Sequence, residues 1–184
     1  ARELGRNMPG GYGLLPSKEY INRMSASPAT FSDNTVPSGV TTSFINAYGS
    51  VIDSYSEYKD FLFGAEGRTQ PAIYDTLLPI NLSTTLFNQA ETLHNKIDAW
   101  TPPQGLRVVE VAGWGLDTVA SFQYYPKRIS KDVYSLDEKP IFTVDGDKTV
   151  VEPSALYGAG EKVWVDLKKY NRFRPGILGS EHKD

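Results

Sequence analysis

Two acids flank a glycine, Asp145-Gly146-Asp147, in the segment IFTVDGDKTVVEPSAL, with a short apolar arm on either side. Three roles suit such a group: calcium ligation, a hairpin turn, or the acid of a catalytic site. An EF-hand loop starting at Asp145 would have Asp147 and Thr149 at its third and fifth positions. It would then need glycine where Val150 stands and glutamate where Leu156 stands, and both requirements fail. The hairpin is the stronger reading, because Asp-Gly accepts positive φ at both central positions and apolar residues flank it. A turn there also leaves Asp147 just past a strand end, where a functional carboxylate can stand.

Other groups with chemical potential are few. Cysteine is absent, which excludes disulfides, thiolate metal sites and a cysteine nucleophile within these residues. The two histidines, His94 and His182, give little scope for a histidine metal centre. His94 lies on a helix flank, where a surface or hydrogen-bonded role is the commoner one, and His182 stands in a Gly- and Ser-containing loop. Gly113-Trp114-Gly115 follows a strand, but Thr118 replaces the third glycine of a dinucleotide fingerprint and strand-like sequence follows it. A tight backbone exit is the better reading. Trp100, Trp114 and Trp164 suit sugar stacking, although core packing is the commoner use of each.

The elements that must position these residues fall into two halves. Up to about Thr41 the chain is punctuated by Pro and Gly and reads as loop, with one short helix near Lys18–Met24. Ser54 to Glu57 offers capping chemistry before a helix that Gly64 would stop. The strongest helix begins at Ser83, carries Leu86, Ala90, Leu93, Ile97 and Trp100 as one apolar stripe, and ends at Pro102-Pro103. After Gly105 strands are expected at Leu106–Ala112, Val119–Tyr125, Ile141–Val144 and Lys162–Leu167, with a short helix near Ser154–Tyr157. The net charge of −3, with mixed signs, argues against nucleic acid as a partner. No apolar run approaches the length of a membrane-spanning helix.

Four segments occur in an order that resembles the C-terminal portion of the lecithin:cholesterol acyltransferase-like lipases, which are α/β-hydrolases. They are Arg6–Ser17 with its Leu-Leu-Pro-Ser ending, Val108–Gly115 with Thr118, Gly146-Asp147-Lys148-Thr149-Val150, and Glu181-His182. In the third, Lys148 departs from the usual Gly or Asp. The resemblance implies a partial α/β-hydrolase fold: a connecting segment over 1–40, a mostly helical cap or lid over 41–103, and C-terminal core strands over 104–184. It also implies a triad acid at Asp147, with Asp145 as the rival, and a catalytic histidine at His182, 35 residues further on.

No Gly-x-Ser-x-Gly occurs, so the nucleophilic serine is expected upstream and the chain by itself is expected to be inert. The partners implied are a lipid or other acyl ester, the N-terminal half of the same protein, and a second copy covering exposed sheet. No cofactor and no metal are implied. The competing class is a non-catalytic binding or assembly module, with carbohydrate as one candidate ligand.

Overall fold

The computed structural model describes residues 2–23, 27–32, 39–72, 75, 78–156 and 158–173 of the 184. In chain order the elements are α1 (Arg2–Arg6), α2 (Pro9–Tyr12), α3 (Lys18–Arg23), β1 (Ala29–Phe31), α4 (Gly39–Tyr48), β2 (Val51–Ile52) and α5 (Tyr55–Phe63). They continue with α6 (Thr84–Asp98), β3 (Val109–Trp114), β4 (Thr118–Ser130), β5 (Val133–Thr143), α7 (Glu152–Ala155), β6 (Glu161–Asp166) and α8 (Leu167–Phe173). The chain is mixed α/β, with helices and a mixed sheet. It divides into two compact units, Ala1–Asn95 with Ser121–Lys139 and Lys96–Ala120 with Pro140–Asp184.

In the first unit the sheet runs β2-β1-β4-β5. β1 pairs antiparallel with β2 and parallel with β4, with Phe31 opposite Tyr124. This strand lies in the segment read as loop. Three residues carry no periodicity, and long-range partners on both edges supply the stability that local propensity does not. β5 likewise begins eight residues before the strand expected at Ile141. β4 and β5 form a long hairpin whose reversal passes Asp132, in the left-handed region at φ 59°.

The core of this unit is aromatic. Phe31 stacks on Phe44 at 5.5 Å and on Tyr124 at 5.4 Å, and Phe61 meets Phe31, Tyr48 and Tyr124 edge-on. Offset and edge-on pairs of this kind add stabilisation beyond the area they bury. The Arg68 guanidinium lies 5.0 Å from the Phe61 ring centre and 5.5 Å from that of Tyr48. Its Nε donates to Asn81 Oδ1, and Asn81 donates back to the Arg68 carbonyl. Burial lowers the Arg68 pKa.

Local signals place the helices around this core. Ser54 and Glu57 make a reciprocal capping box at the start of α5, and Gly64 ends the helix at φ 69°. The stop is doubly constrained, because a Cβ on Gly64 would meet Asn81 at 2.2 Å. On α6 only part of the expected stripe is covered. Phe87 is buried, with Phe63 edge-on at 5.0 Å, and Leu86 and Ala90 pack at the margin. Leu93, Ile97 and Trp100 stay about half exposed. The three tryptophans are therefore not core residues: Trp114 and Trp164 are also exposed, and Phe and Tyr fill the interior.

Burial pushes the Tyr124 hydroxyl up to about 12, aided by the Glu138 carboxylate, and burial raises Tyr58 further. An unfolded tyrosine ionises near 10, so both groups favour the folded state fully below that pH. Their contribution is lost as pH rises from about 10 through the folded values, with a slope of about 1.4 kcal/mol per pH unit for each residue. Urea unfolding at fixed pH should show stability falling steeply between pH 10 and 12. Tyr124→Phe should flatten that fall, and an unchanged slope would refute the assignment.

Candidate functional site

In the second unit β3 and β6 pair in parallel, with Ala112 opposite Trp164 and Trp114 opposite Asp166. The loop entering β6 is set by Glu110, whose carboxylate accepts from the Gly158 and Gly160 amides at 3.1 and 2.8 Å. A Cβ on Gly158 would meet that carboxylate at 2.4 Å, so a larger residue there would displace the Glu110 side chain. At the other end Asp166 accepts from the Lys169 amide at 2.8 Å and starts α8.

The exit from β3 is the Gly113-Trp114-Gly115-x-x-Thr118 segment. Gly115 has φ 98°, a conformation that favours glycine. The acid-bearing segment then runs beside this exit. The Gly115 amide donates to the Val144 carbonyl at 2.7 Å, the Leu116 amide donates to the Gly146 carbonyl at 3.1 Å, and Leu116 bridges Asp147 in parallel. Thr118 fastens the arrangement. Its hydroxyl is fully buried, donates to the Leu116 carbonyl at 2.9 Å and accepts from the Lys148 amide at 2.8 Å.

This geometry moves the turn expected at Asp145-Gly146. Gly146 instead bridges Val151, and the reversal lies between them. The Asp147 amide donates to the Val150 carbonyl at 3.1 Å, while Asp147 Oδ1 accepts from the Thr149 and Val150 amides at 3.0 and 2.7 Å. The side chain thus closes its own turn, an option open to aspartate but absent from simple Asp-Gly hairpin statistics. The left-handed residue is Lys148, at φ 84°, and not Gly146. Gly146 is required for space, since a Cβ there would meet Thr118 Oγ1 at 2.5 Å.

The two rival acids part company here. The Asp147 Cβ lies 3.1 Å from where a Cβ on Gly113 would stand, with Leu167 beside it. Asp145 instead lines a hollow of about 300 Å³ with Trp114, Glu152 and Trp164. Asp147 is thus presented at the carboxyl end of a parallel strand pair, and Asp145 belongs to a different environment. His182 lies outside the described residues, so its relation to Asp147 is not part of this geometry. His94 is partly buried on α6. The hollow was not foreseen from the sequence. Its one available signal was the pair of tryptophans near the ends of neighbouring strands.

No protein-family model, no curated protein and no solved structure matches the chain.

Replacing Thr118 by valine keeps the shape and removes both hydrogen bonds. The expected loss is about 2 kcal/mol, since each orphaned backbone group costs on the order of 1–3 kcal/mol when shielded from water. Lys148 amide exchange should accelerate, with much of the effect recovered by Thr118→Ser. Lys148→Gly should act the other way and raise stability by roughly 0.5–1 kcal/mol in urea unfolding, because it relieves a left-handed non-glycine residue.

Proposed function

We propose that this chain is the C-terminal part of a lipase- or acyltransferase-type serine hydrolase and supplies the acid and the histidine of a Ser-Asp-His triad. The observation that carries the reading is the placement of Asp147: past the carboxyl end of β3, which pairs in parallel with β6, on a turn closed by its own carboxylate. Open α/β sheets build their sites outside the carboxyl ends of their strands. The left-handed Lys148 adds support, because the resembling lipases carry glycine or aspartate at this position. Glycine accepts that conformation freely, and aspartate tolerates it better than most residues.

In this reading the fold is a partial α/β-hydrolase with residues 41–103 contributing the cap. Asp147 accepts from one imidazole nitrogen of His182 and so fixes its tautomer. His182 takes the proton of a serine supplied from outside residues 1–184, and that serine attacks the acyl carbon of an ester. Asp147 Oδ1 is already held by two amides, which sets the direction of the carboxylate. The aliphatic face of the β3–β6 pair also fits. Val111 is 60% exposed and Val163 lies opposite it, whereas parallel sheets are ordinarily covered on both faces. The upstream half of the protein, or failing that a second copy, would cover it.

The test is the longer coding region, expressed and assayed on short- and long-chain esters. Asp147→Asn and His182→Ala should each lower kcat/KM by about 10³–10⁴-fold, with Asp145→Asn close to the parent. Undiminished esterase activity in the first two variants would remove the assignment. So would an upstream region without a strand–Gly-x-Ser-x-Gly–helix unit. A binding module without catalysis is the competing reading, favoured by the hollow between the two tryptophans.

A further inference from the structure

The hollow lined by Trp114, Asp145, Glu152 and Trp164 plays no part in the triad reading and stands independently of it. Its two indoles come from the same face of the β3–β6 pair, since Ala112, Trp114, Trp164 and Asp166 alternate onto one side in the parallel register. Trp164 is 54% exposed and Trp114 is 37% exposed, so both present ring surface to solvent. The Trp164 ring is held at its polar edge, where its Nε1 donates to Glu152 Oε1 at 2.6 Å. That bond fixes the indole plane and leaves a carboxylate at the rim of the hollow. Asp145 is fixed too, with Thr143 Oγ1 donating to its Oδ2 at 3.2 Å and its amide donating back to Thr143 at 3.1 Å.

The composition of the wall selects the ligand. It offers two π-faces and two carboxylates, and among the described residues no basic side chain lines it. A sugar's hydroxyl groups can use the carboxylates as acceptors, but a neutral sugar leaves their two negative charges uncompensated. Here the Trp164 N–H is engaged by Glu152, and the Asp145 and Glu152 amides are engaged within the loop. An alkylammonium group needs only acceptors and aromatic faces. Attraction of such a cation to tryptophan is the strongest of the cation–π pairs. At about 300 Å³ the space is at the small end of ligand sites, which suits a single headgroup.

We propose that the hollow between Trp114 and Trp164 is a binding site for an alkylammonium group. Two sources share that chemistry, a small quaternary or primary amine and a lysine side chain of a partner. Titration of the 184-residue chain with tetramethylammonium and with n-butylammonium, followed through the indole N–H resonances, separates them.

Saturable shifts of Trp114 and Trp164, with Trp100 unmoved and dissociation constants on the order of millimolar, are expected. A response to tetramethylammonium identifies the small-molecule source, and a response to butylammonium alone identifies lysine. The double variant Asp145→Asn, Glu152→Gln should weaken binding about tenfold or more. Glutamine keeps an acceptor for the Trp164 N–H, so the variant removes charge and leaves the ring held. The proposal is overturned if neither cation moves the indoles, if the neutral isostere 3,3-dimethyl-1-butanol or glucose moves them equally, or if the double variant binds as well as the parent.

Discussion

The second unit depends on one buried hydroxyl. Thr118 stands where the exit of β3, the acid-bearing segment and the start of β4 meet, and it hydrogen-bonds the first two directly. The surrounding sequence follows from that placement. Gly146 must be glycine because the hydroxyl occupies the space of its Cβ. Gly113 must be glycine because Leu167 and Asp147 close over it, and Gly115 because the chain turns through positive φ to reach Thr118. One threonine and three glycines, scattered over 34 positions, therefore express a single requirement: a loop held against a strand end. Nothing in that requirement demands catalysis. It does demand that Asp147 be held in a fixed place, which is the property a catalytic carboxylate needs.

The first unit is held by a different kind of contact. Its interior is assembled from Phe and Tyr rings, and it takes in a guanidinium. Among the described residues Arg68 Nη1 is buried without a hydrogen-bond partner, and ring faces provide its compensation at that end. The other end ties α5 to the segment leading into α6, through the Phe61 carbonyl and Asn81. A similar arrangement recurs nearby, where Lys59 pairs with Glu91 and lies over the rings of Tyr55 and Phe87. Cations on aromatic faces thus fasten the helices to the core in places where aliphatic packing would ordinarily do so.

What could be read from the sequence was what local chemistry decides. The capping box at Ser54 and Glu57, the Gly64 stop, the Ser83 start of α6 and the four strand regions of the second half all rest on short-range rules. The misreadings share the opposite cause. β1 exists through partners more than 20 residues away on both sides, and α6 leaves Leu93 and Ile97 open although their spacing marks a packing stripe. The turn near Gly146 fell three residues later than Asp-Gly chemistry suggests. A buried threonine almost 30 residues earlier outweighed the local preference. The separation of Asp147 from Asp145 was not legible, because it depends on which side of β3 each acid reaches.

The β3–β6 pair has two chemically different faces. Val109, Val111 and Val163 share the side of Gly113, where Asp147 and Leu167 lie. Trp114 and Trp164 share the other, where Asp145 and Glu152 line the hollow. An aliphatic centre flanked by the Asp147 and Glu161 carboxylates is completed by more protein, because dry side-chain packing is the interaction its valines offer. A face of indoles and carboxylates offers charge complementarity, and a cation satisfies it without covering the strands. The two sides of one short sheet therefore call for different occupants, and a residue two positions from Asp147 belongs to the other side. Putting Asp145 in the place of Asp147 would need a two-residue slip of the acid loop. The Thr118 hydrogen bond to the Lys148 amide is what forbids it.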